Sequence, residues 1–483
     1  MKKNHLITGV SFITLSIILL AQILVQTSCG NPIPPEGGPR DTIPPRLAKA
    51  SPPEYSTNFS SGRITLTFNE YVDLDNYQQN MLISPLPENF PTVTRKLNVV
   101  TIKLRDTLQP NTTYTFDFGK TIKDINEGNV LKDFQYVFST GPYIDSLAFA
   151  GKVILAETGG IDSTLTVMLH TSGDDSAVLK SKPRYISKTN GKGEFVFTNL
   201  SPGKYYLYAL KDESGVYRMS QRELFAFADS AILVNEETKP VLLYAYKEIQ
   251  EEKNGNEAAV GTGVSPNIRG GRRGAGGTTD KRLRFQTNLE NGTQDLLNSF
   301  VISFPIPLEK FDSTKIHFSI DTLFTPVTGY HWKLDTAMKK AELLYTWQPN
   351  TNYNFILEKD FATDTSGQQL LKSDTLSFKT KNIDEYGKVT IKFRNLDLEK
   401  NPVLLFVLNG EVTNSFPLTS ATFTQNMFVP GEYNLRILFD ENKNGKWDPG
   451  EFIGKHKQPE KVIGIERKVT IRSRWNNDLE ISL

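Results

Sequence analysis

Near its C-terminus the chain carries a stretch with the spacing of a metal-wrapping loop: Asp440-Glu-Asn442-Lys-Asn444-Gly445-Lys446-Trp447-Asp448-Pro-Gly-Glu451. Calcium takes about six to eight oxygens, and a loop that offers carboxylates or amides at positions 1, 3, 5, 9 and 12, a carbonyl at 7 and glycine at 6 can close around one ion. Asp440, Asn442, Asn444, Asp448 and Glu451 supply the side-chain oxygens, Lys446 the carbonyl, and Gly445 the tight bend. Three carboxylates and two amides predict weak binding, with Kd on the order of 10⁻⁴ to 10⁻³ M. The same residues also suit a solvated Asn/Gly hairpin with Trp447 packed against its neighbours. Calcium is the cofactor this stretch leads one to expect.

Catalytic chemistry has little to stand on. The histidines, His5, His170, His317, His331 and His456, are scattered, and none is at metal-ligand spacing from another. No G-x-S-x-G, H-E-x-x-H or phosphate-cradling glycine loop occurs. The acidic pair Asp174-Asp175 reads as solvated loop. No catalytic residue is assigned, and the chain is not expected to be an enzyme. A net charge of +1 gives no field for nucleic acid. The Arg269-Gly-Gly-Arg-Arg273 run alone does not change that.

The other chemical feature is Cys29, the only cysteine, which excludes an intramolecular disulfide. It follows a basic start, Lys2-Lys3, and an apolar run from Val10 to Val25, the layout of a secretory signal. Thr27-Ser28-Cys29 at the junction resembles a bacterial lipobox. That resemblance implies cleavage after residue 28 and a covalent lipid on Cys29, anchoring the protein to the outer membrane. Each buried methylene of such a lipid adds about 0.8 kcal/mol to anchoring. Asn31 to Arg46 is proline-rich and reads as an extended tether over 29–45.

The elements that must position these residues come in a repeat. Gln109 to Phe116, QPNTTYTF, returns as Gln348 to Phe355, QPNTNYNF; Pro202 to Glu213, PGKYYLYALKDE, returns as Pro430 to Glu441, PGEYNLRILFDE. The order is A-B-A′-B′. Strict alternation, as in Arg63 to Phe68, and short runs bounded by Gly, Pro and Asn predict an all-β protein of tandem antiparallel sandwiches. The boundaries are 46–143 for A, 144–247 for B, 282–382 for A′ and 383–483 for B′. Residues 248–281, rich in Gly and charge, read as a flexible linker that a protease would cut, leaving two β-rich halves.

Three resemblances add to this. Pro44-Pro45, Ile64 to Glu70, Leu108 to Tyr114, Asp124 to Gly128 and Phe138 to Gly141 resemble an Ig-like domain of the bacterial S-layer type over 44–142, as found in lipoproteins of the Bacteroidetes. Gly151, Gly193 to Phe197, and Asn199 to Tyr205 with the strand ending at Asp212 resemble transthyretin-like or carboxypeptidase-regulatory-like sandwiches. The Asp440 loop resembles calcium loops of transthyretin-like and adhesin B-type domains. The anchor, the proline-rich tether, the duplicated sandwiches and the linker together suit a non-catalytic envelope lipoprotein that holds a protein partner, with outer-membrane assembly or export machinery as the partner class. The alternative is a glycan binder using Tyr205, Tyr206, Tyr208 and Trp332.

Overall fold

The computed structural model describes residues 40–220, 223–248 and 282–483. Cys29, the signal segment and the 249–281 stretch lie outside them.

The repeated Gln-Pro-Asn-Thr turn shows how the same sandwich corner forms twice. Its asparagine lies in the left-handed region, at φ 49° for Asn111 and 54° for Asn350, a conformation asparagine tolerates better than most residues. The following threonine hydroxyl donates to the proline carbonyl, 2.9 Å in both copies. Its N–H donates to a hydroxyl on the closing strand, Thr140 at 3.0 Å and Thr380 at 2.9 Å. That hydroxyl donates in turn to the glutamine carbonyl, at 2.7 and 2.6 Å. The glutamine N–H donates to the tyrosine hydroxyl, Tyr114 at 2.9 Å and Tyr353 at 3.3 Å. Turn, entering strand and closing strand are therefore one hydrogen-bonded unit.

In A, strands Leu47–Ser51, Arg63–Phe68, Val99–Lys103 and Thr92–Lys96 form one sheet in that order, and Leu82–Ser84, Thr113–Asp117 and Gln135–Ser139 the other. Ile64, Leu66, Phe68, Val100 and Ile102 from the first face Phe116, Tyr136 and Phe138 from the second. A′ repeats the second sheet: Asn352–Leu357 lies between Ile316–Ile320 and Asp374–Thr380, as Thr113–Asp117 lies between its neighbours.

B and B′ share a different signature. The first strand of each, Leu147–Leu155 or Gly387–Arg394, is central in its sheet. It pairs antiparallel with Glu194–Leu200 or Thr422–Phe428. Its other partner is the last strand of the module, Val241–Ala245 or Asn476–Ser482, in parallel. The chain runs through the facing sheet before a short return makes that parallel pair, a detail that alternation in the sequence does not express. In the facing sheet, Thr166–His170 or Pro402–Leu408 lies beside Gly203–Leu210 or Gly431–Phe439. The Pro-Gly-x-Tyr corner ends in the same bond twice: Tyr205 Oη donates to the Ser201 carbonyl at 3.1 Å, and Tyr433 Oη to Val429 at 3.0 Å.

The chain divides by contact into two units, one ending at Asp145 and the other running from Ser146 to Leu483. B, A′ and B′ thus belong to one body. Within it B and B′ touch, for instance through Glu248 and Phe452.

Candidate functional site

Strand Gly431–Phe439 delivers Asp440 to the rim of B′, where the loop begins. Asp440 is buried, and its carboxylate takes the N–H of Asn444 at 3.2 Å and of Gly445 at 2.7 Å. Gly445 has φ +75°, so a β-carbon there would strain the bend. Asn442 Oδ1 also accepts from Asn444 N–H, at 3.0 Å. The amides of Asn442 and Asn444 both donate to Asp448 Oδ2, at 2.5 and 2.8 Å. Lys446 is tied in through its N–H, which donates to Asn444 Oδ1 at 2.7 Å.

Four of the six loop residues expected to bind metal therefore converge through their side chains: Asp440, Asn442, Asn444 and Asp448. Turning the two amides over would aim oxygen rather than nitrogen at the same centre. Glu451 does not join them. Its carboxylate pairs with Lys455 Nζ at 2.7 Å, and its backbone pairs in both directions with Lys457. Among the described residues no group of three or more His, Cys, Asp or Glu side chains is placed to hold a metal. Two carboxylates, two amides and a carbonyl fit calcium only with water completing a shell of about six to eight oxygens.

The acid that does reach the loop is Glu460, which spacing in the sequence did not single out. It is buried, and its carboxylate accepts the N–H of Glu441 at 2.8 Å and of Asp448 at 3.0 Å. Burial pushes its carboxyl above the usual range, and the neighbouring Asp440 and Asp448 charges push the same way. Trp447 Nε1 donates to the Glu460 carbonyl at 2.8 Å. The ring covers Val403, Leu405, Leu438 and Val462 on the outer face of the sheet. The corresponding turn in B is closed on itself: the Asp212 carboxylate takes the N–H groups of Gly215 at 2.8 Å and Tyr217 at 2.7 Å.

Among the described residues the histidines do not come together; His5 lies outside them. His170 is buried on its strand and pushed down to about 4 by that burial, so it is neutral at physiological pH. His317 pairs with Glu358 at 2.7 Å and His456 with Asp175 at 2.5 Å. His331 is exposed on the strand His331–Leu334. The aromatic residues named for glycan binding are largely enclosed. Tyr205 and Tyr208 are buried, and Trp332 packs against the A′ core. Tyr206 is half-buried with Lys204 Nζ over its ring at 5.5 Å. Alternation places Tyr205 inward, and the opposite face that Tyr208 occupies is itself covered.

Residues 41–140 match the family described as a bacterial Ig-like domain, in line with the resemblance read over module A. No curated protein matches the chain. Among solved structures, the N-terminal part of the bacterial S-layer protein SbsC aligns at 14% identity over 43% of this chain and 45% of that one, with a TM-score of 0.16. The Bacillus anthracis TIE protein aligns at 12% identity over 93% and 75%, with a TM-score of 0.17. BcpA, the major pilin subunit of Bacillus cereus, aligns at 9% identity over 69% and 99%, with a TM-score of 0.16. Among the described residues no helix is long and apolar enough to cross a membrane.

Proposed function

We propose that this protein is a non-catalytic scaffold of the cell envelope, tethered to the outer membrane by lipid on Cys29, that presents its sandwiches to a protein partner. Assembly or export machinery of the envelope is the partner class. The observation that carries this reading is where the polar side chains go. Asp124 spends its carboxylate on three N–H groups of its own turn, Glu127, Gly128 and Asn129, at 2.7 to 2.9 Å. Asp364 does the same for Ser366 and Gln368, and Asp440 and Asp212 for their turns. Groups so engaged hold loops in place and are committed to the fold rather than gathered around a substrate. A recess of about 500 Å³ in A′ is lined by Asp321, Asn352, Asn354, Ser377 and Lys379, but Asn354 already bonds Ser377 Oγ and the Asp321 carbonyl.

Calcium at the Asp440 loop would serve this role as a structural ion. It would take over the Asp448 carboxylate that the two amides now share and stiffen the rim of B′.

The test is made in the native membrane. Cys29→Ser should abolish labelling by a fatty-acid probe and release the protein to the soluble fraction. The full-length wild-type chain should be recovered with a stoichiometric envelope protein after crosslinking. Continued labelling of the variant would remove the anchor, and recovery of the wild-type chain alone would remove the scaffold role and leave a glycan array as the next experiment.

A further inference from the structure

Beyond the Asp440 loop, residues 450–458 of B′ form a hook that closes on module B. Backbone bonds between Glu451 and Lys457, at 2.9 and 2.8 Å, make its neck. Phe452 and His456 stack within it, ring centroids 5.0 Å apart. Phe452 enters a ring cluster on the outer face of B, 5.1 Å from Phe225, 5.0 Å from Phe227 and 5.6 Å from Tyr208. Polar bonds surround that ring. Glu248 accepts the Phe452 N–H at 3.0 Å, and Asp175 takes the Gly454 N–H at 2.9 Å and His456 Nε2 at 2.5 Å. Gln458 Nε2 donates to Asp229 at 2.6 Å and to the Phe227 carbonyl at 3.0 Å. A second contact runs alongside, where Val462 N–H donates to the Ala156 carbonyl at 3.0 Å.

The fit depends on missing side chains. A β-carbon on Gly450 would lie 2.6 Å from Cζ of Tyr246, and one on Gly159 would lie 2.4 Å from the Gly464 nitrogen. The two copies are also unequal in a complementary way. B′ covers the outer face of its own sheet with Trp447. B has only the short Asp212 turn there, and the ring that covers Phe225, Phe227 and Tyr208 comes from the other copy. Left bare, three adjacent aromatic rings would be an exposed apolar patch of the kind that soluble domains avoid.

We propose that the hook makes B and B′ a closed pair that does not depend on the chain between them. A′ is then a branch joined to that pair, and cutting the chain within 249–281 should leave B and B′ together. This inference stands independently of the lipid anchor and of the partner proposed above.

The experiment uses the full chain with a sequence-specific protease site placed within 249–281. After complete cleavage at micromolar concentration, the two pieces should elute together on size exclusion and separate only in denaturant. Phe452→Ala, outside the B′ core, should raise the Kd of the cleaved pieces by roughly tenfold or more, read as a lower retained fraction on dilution, as loss of a central aromatic anchor does. Asp175→Lys, on the surface of B, should act in the same direction by removing the partner of Gly454 N–H and His456 Nε2 and repelling Lys455, and it decides the matter if the first variant does not fold. Separation of the wild-type pieces on cleavage would overturn the proposal. Full retention in both variants would equally overturn it, because the hook would not be what holds them.

Discussion

The acid that meets the loop is Glu460, not the Glu451 that spacing pointed to. Glu451 ends the twelve-residue pattern yet faces Lys455, whereas Glu460 lies buried against the loop. If calcium occupies the loop as proposed, Asp448→Ala should abolish the rise in melting temperature expected in millimolar calcium, and Glu451→Ala should leave most of it. Calorimetry with calcium and with chelator reads both. The pH dependence follows from Glu460. Its carboxyl is held above the ordinary range by burial, so the folded protein binds that proton more tightly than the unfolded chain does. Its contribution to stability is complete below the unfolded pKa and is lost as pH rises through the folded pKa. A cation beside Asp440 and Asp448 offsets that loss, so the calcium effect should be larger near neutrality than at about pH 5. An equal effect at both would place the ion elsewhere.

At the scale of elements, the parallel pairing of first and last strands is what closes each B module. Gly151 lies in the middle of the first strand of B, opposite Val241. A β-carbon there would stand 2.3 Å from the Val241 carbonyl oxygen and 2.4 Å from the Phe195 ring. Neither can retreat, since one is ladder backbone and the other is core. Gly151→Ala should destabilise B by about 1–3 kcal/mol, the usual cost of overpacking, seen as a lower melting temperature for the 146–483 body. Unchanged melting would mean that the strand pair is looser than the structure shows. The Pro-Asn turns were legible for the opposite reason: every bond in the corner from Gln109 to Thr140 is made by residues of the motif or the closing strand, so the repeat of the letters repeats the geometry.

For the whole molecule, the division falls after Asp145. A has its own core, from Phe59 to Phe138, and should melt as its own transition. Removal of residues 46–145 should delete that transition and leave the one belonging to 146–483 in place. A shift of the remaining transition by more than a few degrees would show that A supports the rest. The hook alters what the duplication means mechanically. Two similar halves on a string would be free to separate, but B is covered by a ring from B′, so the second copy completes the first.

What local bonding and period-two burial decide is legible in the order of residues. That order showed the all-β class, four modules in two related pairs, the turns, the Ig-like character of the first module, and the loop with calcium spacing. These are written in residues close together in the chain, where a motif and its bonds coincide. Only the tertiary structure decided which acid reaches the loop, which tyrosines are covered, and that B and B′ are joined. Those depend on residues that meet across long separations, Glu248 with Phe452 or Asp175 with His456. The hook, from Gly450 to Gln458, has no period of its own to mark it. Its one buried ring is buried by another module, and alternation along a strand reports only which face points inward, never what lies on the other side.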